Sequence, residues 1–148
     1  MMHVISLEAI ERVLPQLDVV ALMEEGFVAY SQGRAVVPPV GELIFEDPPG
    51  ETHIKYGYLR GGDYYVIKIA SGFYGNTELG LPSGTGMMLL FSQKTGCPEA
   101  VLLDEGRLTD VRTAAAGAVA AKHLAPSQVD RIGILGGGIQ ARLQLELT

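Results

Sequence analysis

The stretch THIKYGYLRGGDYYVIKIAS, Thr52 to Ser71, reads as two β-strands, THIKYGYLR and YYVIKIAS, folded back on each other through Gly61-Gly62-Asp63. β-Branched and aromatic residues on either side of a glycine–aspartate turn mark an antiparallel hairpin. Upstream, the proline-rich run VVPPVGELIFEDPPG holds a further expected strand, Gly41–Glu46. Downstream, MMLLFSQ and PEAVLLD flank KTGC and read as a second hairpin. Helices surround these strands. One spans Leu7 to Leu14 and stops at Pro15. A second is capped by Asp18, carries Val20, Met23, Phe27 and Tyr30 at helical spacing, runs to about Gln32 and ends at Gly33. A third is LTDVRTAAAGAVAAKHL, Leu108–Leu124, with Thr109 as the expected N-cap and Pro126 beyond its end. Residues 1–126 therefore read as an α+β domain, helices with an antiparallel sheet.

Residues 127–148 read differently. DRIGILGGGIQARLQLELT predicts a strand at Ile132–Leu135, a glycine turn and the start of a helix, the opening of an incomplete Rossmann domain. Gly136-Gly137-Gly138-Ile139-Gln140-Ala141 fits G-x-G-x-x-A, in which glycines allow a tight turn and close approach of the backbone to a pyrophosphate. The same residues also fit a glycine-rich turn without a ligand. The acidic residue that would hold a ribose is expected about 20 residues further on, and a parallel sheet needs neighbouring strands. The reading is thus of the N-terminal portion of a longer protein, inactive alone. Its apolar Ile132–Leu147 segment is expected to be mobile, to pack on a neighbour or to favour aggregation. The loop GFYGNTELGLPSGTG, long for a compact domain, is expected to serve function.

The net charge is −6, with 47% apolar and 19% charged residues, a composition that can bury a core. The acidic balance argues against nucleic acid as the main partner. The lone Cys97 permits no internal disulfide, and the N-terminus lacks the features of a signal peptide. No apolar run is long enough to span a bilayer. A cytoplasmic setting without membrane partners is expected.

Two cations stand out. Lys68 sits in a strand whose two faces are both otherwise apolar. Loss of solvation there would lower its pKa and suit it to proton transfer or carbonyl polarisation. The alternative is an edge-strand lysine whose head reaches water. With Thr109 as N-cap, Arg112 falls in the first turn of its helix, where cations are disfavoured. Arg112 and the exposed amides would then bind an anion, such as a carboxylate or phosphate. The alternative is a surface ion pair with Asp104, Glu105 or Asp110. His53 and Lys55 share one face of their strand and either line the same pocket or face solvent. The three histidines lack metal-ligand spacing, so no metal is expected.

The sequence from Lys68 onward, KIASGFYGNTELGLPS, then LTDVRTAAAGAVAAKHLAP and IGILGGGIQA, resembles the ornithine cyclodeaminase/mu-crystallin family. The resemblance implies a homodimer of two-domain chains, with the first domain holding substrate and making the dimer contact. The second domain would be a Rossmann domain binding NAD or NADP. It implies hydride transfer at the α-carbon of an amino or imino acid, as in cyclodeaminases, alanine dehydrogenase and imino-acid reductases. A binding or dimerisation module of the mu-crystallin type is the non-catalytic alternative. By resemblance, Lys68 is the catalytic lysine beside the substrate carboxylate, and Arg112 contacts carboxylate and cofactor. Ser83 and Thr113 lie at the cofactor, as do Gly136, Gly138, Ile139 and Gln140. Many members carry an arginine after the proline-rich run, where this chain has Gly41 and Glu42. That departure leaves ornithine specificity open and makes His53 and Lys55 candidates to compensate, toward a substrate with a second carboxylate.

Overall fold

The computed structural model describes residues 2–148. In chain order the elements are β1 (His3–Ser6), α1 (Leu7–Val13), α2 (Val19–Ser31), β2 (Ala35–Val36), β3 (Gly41–Glu46), β4 (Pro49–Leu59), β5 (Tyr64–Gly72), β6 (Gly84–Ser92), β7 (Pro98–Leu103), α3 (Arg107–Leu124) and α4 (Ile139–Leu147), with short 3-10 helices after α1 and β5. The strands form one sheet in the order β1-β7-β6-β5-β4-β2, and β3 also pairs with β4. Every pairing is antiparallel except β1 with β7, which is parallel. The α+β reading holds, and no helix among the described residues is long and apolar enough to cross a membrane.

β1 was not legible as a strand, because its four residues run straight into a helix. Ser6 ends the strand and caps α1, its hydroxyl accepting from the Ala9 N–H at 3.3 Å. Asp18 caps α2 in the same way, accepting from the Ala21 N–H at 2.9 Å. β6 begins at Gly84 rather than Met87, so part of the glycine-rich loop is strand. Gly86 permits this: a Cβ there would lie 2.6 Å from the Ile69 carbonyl oxygen of β5.

α3 starts earlier than Thr109. Asp104, 1% exposed, accepts from the Leu108 N–H through Oδ2 at 2.9 Å, and its carbonyl accepts from the Arg107 N–H at 2.8 Å. Gly106 holds the N-cap position with φ of 88°. The expected Thr109 cap is therefore corrected: Thr109 lies inside the helix, and Arg112 lies beyond the first turn. Alanines make up the packed stripe of α3. Ala114 and Ala115 are fully buried, and Ala118, Val111 and Val119 nearly so. Small side chains let α2, α4 and the sheet approach one helix closely. Lys122 reaches Glu24 of α2 at 2.6 Å, tying the far end of α3 down.

The strand expected at Ile132–Leu135 is absent, and residues 126–138 have no helix or strand. Backbone groups in a strand need a neighbour, and none of the described strands runs beside this segment. Ile132 and Leu135 are exposed. The helix that follows is anchored all the same: Leu143 of α4 is buried, and Gln144 lies against Gly117 of α3.

Gly86→Ala is expected to destabilise the fold by about 1–3 kcal/mol, because its methyl meets backbone that must shift. Gly84→Ala, whose Cβ would lie 3.9 Å from the nearest atom, should stay within about 0.5 kcal/mol of the parent. Urea unfolding of both variants checks the contrast, and equal midpoints would contradict it.

Candidate functional site

Sheet register selects which side chains share a face. Lys68 pairs with Lys55 on β4 and with Met88 on β6, and Met88 pairs with Leu102 on β7. These residues point to the same side. One step along the strands, Ala70 pairs with His53 and Gly86, and His53 pairs with Glu42. The start of α3 lies over this face, with Gly106 packed against Thr85 and Gly86. The floor beneath it is built of small residues, Ala70, Gly72, Gly84 and Gly86.

Lys68 is central, since β5 lies between β4 and β6; the edge-strand alternative is thereby removed. Its Nζ donates to Thr109 Oγ1 of α3 at 3.2 Å. Burial lowers the Lys68 pKa from its ordinary value to about 8, with the Arg112 and Lys55 charges adding to the effect and Asp104 opposing it. Lys55, Lys68 and Arg112 thus form one electrostatic cluster, although like charges repel. Among the described residues, Lys55 and Arg112 form no ion pair. The surface-pair alternative for Arg112 therefore fails: Asp104 is buried, and Asp110 takes the Gln140 amide. Three cations are thus held near one another with no ion pair to Lys55 or Arg112, an arrangement that attracts an anion, and arginine's planar fork matches a carboxylate.

His53 stands at the acidic border of this patch. Its Nδ1 lies 3.5 Å from Glu42 Oε1, and its Nε2 lies 3.5 Å from Glu51 Oε2. Its ring is engaged by these carboxylates, which leaves Lys55 as the freer of the two candidates. Ser83 is half-buried just before β6, and its carbonyl accepts from the Phe73 N–H at 2.8 Å. The Thr113 hydroxyl donates to the Thr109 carbonyl at 2.7 Å.

The glycine turn lies next to this cluster through α3. Gln140 Nε2 donates to the Asp110 carbonyl at 3.1 Å and to Asp110 Oδ1 at 3.3 Å, two residues before Arg112. The side chain of Gln140 thus faces α3, and the main chain of the turn remains available. Gly136 has φ of 105°, and no atom lies within 4 Å of a Cβ placed on Gly136, Gly137 or Gly138. α4 has no side-chain N-cap bond, so its first amides lack partners. Open glycine backbone leading into uncapped amides fits a diphosphate.

Sequence reasoning offered Asp104 only as a surface partner of Arg112 and missed its capping role, along with the acceptor role of Thr109. The signal was present as Asp104-Glu105-Gly106 ahead of the helix, an acidic cap followed by a glycine able to take positive φ.

Over residues 1–148 the chain matches the family model described as the ornithine cyclodeaminase/mu-crystallin family. An uncharacterized cyclodeaminase of Sinorhizobium fredii is 46% identical over 146 residues, covering 97% of this chain and 44% of that protein. The structure of Thermococcus litoralis Delta(1)-pyrroline-2-carboxylate reductase in complex with NADH and L-proline matches with a TM-score of 0.91 at 34% identity, over 99% of this chain and 45% of that one. An archaeal alanine dehydrogenase dimer with bound NAD gives a TM-score of 0.89 at 33% identity, over 99% and 44% respectively. The chain spans less than half the length of these relatives.

The Lys68 shift sets a pH dependence. In the fold Lys68 loses its proton as pH rises through about 8, whereas the unfolded chain holds that proton until about 10.5. The unliganded fold therefore gains stability across that interval, and the gain is lost below it. Anion binding needs the protonated amine and follows the opposite course. Affinity for pyruvate should be flat below pH 8 and fall by up to about tenfold per pH unit above it. Calorimetric titration between pH 7 and 9.5 measures this, and a flat profile would remove Lys68 from the anion site.

Proposed function

The chain belongs to the ornithine cyclodeaminase/mu-crystallin family, and from that premise we propose that it forms the acid-gripping part of an NAD(P)-dependent enzyme acting at the α-carbon of a small amino or imino acid. The observation that carries this reading is the cluster of Lys55, Lys68 and Arg112 on one face of the sheet beside the start of α3. Residues 1–126 form the substrate and dimerisation domain, and residues 127–148 begin the nucleotide-binding domain. The activity belongs to the two together, not to the 148 residues alone.

Arg112 and Lys55 grip the substrate carboxylate. Lys68, held by the Thr109 hydroxyl, donates to the same carboxylate and to the nitrogen or oxygen on the α-carbon. With a pKa near 8 it holds its proton at neutral pH and can release it during the reaction. The backbone of Gly136 and Gly138 and the amides of Ile139 and Gln140 would hold the cofactor diphosphate, and Ser83, Arg112 and Thr113 would contact the rest of the cofactor. When bound, the nicotinamide supplies or accepts the hydride. The protein's own work is to hold the α-carbon in place and to keep the acid's charge compensated.

The opposite face of the sheet supports a homodimer. Val4, Val101, Leu89, Ile67 and Tyr56 follow one another across five strands, and none of them is buried. An apolar face this continuous is costly to leave in water and suits a second copy of the same chain. The alanine dehydrogenase neighbour is a dimer.

Two experiments test these proposals. The full-length protein is assayed for reduced-cofactor oxidation over 2-oxo acids with amines and over cyclic imino acids, and for ornithine turnover. Lys68→Ala is expected to lower kcat/KM by about a hundredfold or more, and Arg112→Lys to raise KM by about tenfold. Undiminished turnover by Lys68→Ala would refute the assignment. Ile67→Glu should convert a dimer to a monomer in sedimentation velocity; a dimer that persists would place the interface elsewhere.

A further inference from the structure

Asp104 is a fully buried carboxylate at the junction of β7 and α3, 1% exposed. Its Oδ2 accepts from the Leu108 N–H, while its buried Oδ1 has no hydrogen-bond partner. A helix cap has no need of a carboxylate. Asparagine caps equally well, and an ionised group costs far more to bury. A nearby cation would offset that cost. The adjacent Arg107 is already committed, its Nε paired with Glu11 of α1 at 2.7 Å. Asp104 lies two residues beyond Leu102, which shares the row of Met88 and Lys68, and so sits on the Lys68 side of the sheet. Five residues later, the same helix start supplies the Thr109 hydroxyl that takes the Lys68 amine.

We infer that Asp104 is a positioning residue: its buried carboxylate locks the first turn of α3 and supplies the counter-charge against which Lys55, Lys68 and Arg112 are held together. Without it, three cations would converge with no anion among them whenever substrate is absent. The charged groups around Lys68 can be named element by element. β4 brings Lys55, together with His53 and its partner Glu51, and β3 brings Glu42. α3 brings Arg112, the Glu11-paired Arg107 and the Gln140-bound Asp110. The junction brings Asp104 and the neighbouring Glu105. On the same face, β6 and β7 bring no charged side chain, their neighbouring positions being Gly86, Met88, Leu90, Ala100 and Leu102. Of these charges, Lys55 and Arg112 push the Lys68 proton off, and Asp104 holds it on.

The inference rests on the proposed role of Lys68 as an anion ligand, and its test is separable from that role. Asp104→Asn keeps an acceptor for the Leu108 amide and removes only the charge. The pH dependence of Lys68 acylation, followed by mass spectrometry in the 148-residue chain, reads the amine directly. In Asp104→Asn the midpoint should move below about 8, and one unit would make acylation at pH 7 roughly fivefold faster. An unchanged midpoint in a folded variant would reduce Asp104 to a cap and overturn the inference. Should Asp104→Asn fail to fold, the double variant Asp104→Asn/Lys68→Met decides. Recovery of the melting transition supports charge compensation, and no recovery overturns it. Protection of Lys68 by pyruvate is a separate readout: its absence in the parent would sink the anion-site reading and leave the midpoint result standing.

Discussion

A half-buried lysine in the middle of a sheet has to be solvated by protein, and the start of α3 does this for Lys68. The amine reaches Thr109 across the gap between sheet and helix. That bond requires α3 to begin where it does, which in turn requires the Asp104 cap and the positive φ at Gly106. It also requires the helix to sit close, which the buried alanines allow. Replacing any of these features with bulk would lift the helix from the sheet and strand the amine.

Once α3 is placed, charge follows from register. Pairing of Lys55 with Lys68 is unfavourable by itself, since like charges face each other across adjacent strands. The fold keeps such a pair beside Arg112, with no surface carboxylate bound to either Lys55 or Arg112, and this is what makes an anion site the reading we propose. Asp104 is the carboxylate that favours the Lys68 proton, while Glu42 and Glu51 gather around His53 instead. The two faces of the sheet thereby differ: one carries the charged cluster, and the other a continuous run of apolar side chains.

Much of the architecture could be read locally. The hairpin of β4 and β5, the boundaries of β3 and the Asp18 cap all follow from alternation, glycine turns and short polar caps within a few residues of one another. The readings that changed depended on partners distant in sequence. Thr109 looked like a cap because it precedes an alanine-rich run, yet Asp104 does the capping and Lys68 claims the hydroxyl. Ile132–Leu135 has the composition of a buried strand, yet no neighbouring strand lies beside it. Phe27 and Tyr30 fit a helical stripe, yet both are exposed, at 47% and 62%.

By itself the sequence determined the α+β class, the order of the hairpins, the glycine turn ahead of a helix and the presence of two unusual cations, because these depend on contacts within a few residues. Only the tertiary structure decided that Lys68 is central rather than at an edge, that Arg112 goes without a surface partner, and that Asp104 lies buried on the same side. Burial and electrostatics act through space. Lys68 and Thr109, separated by 41 positions along the chain, meet only after the sheet and helix have packed.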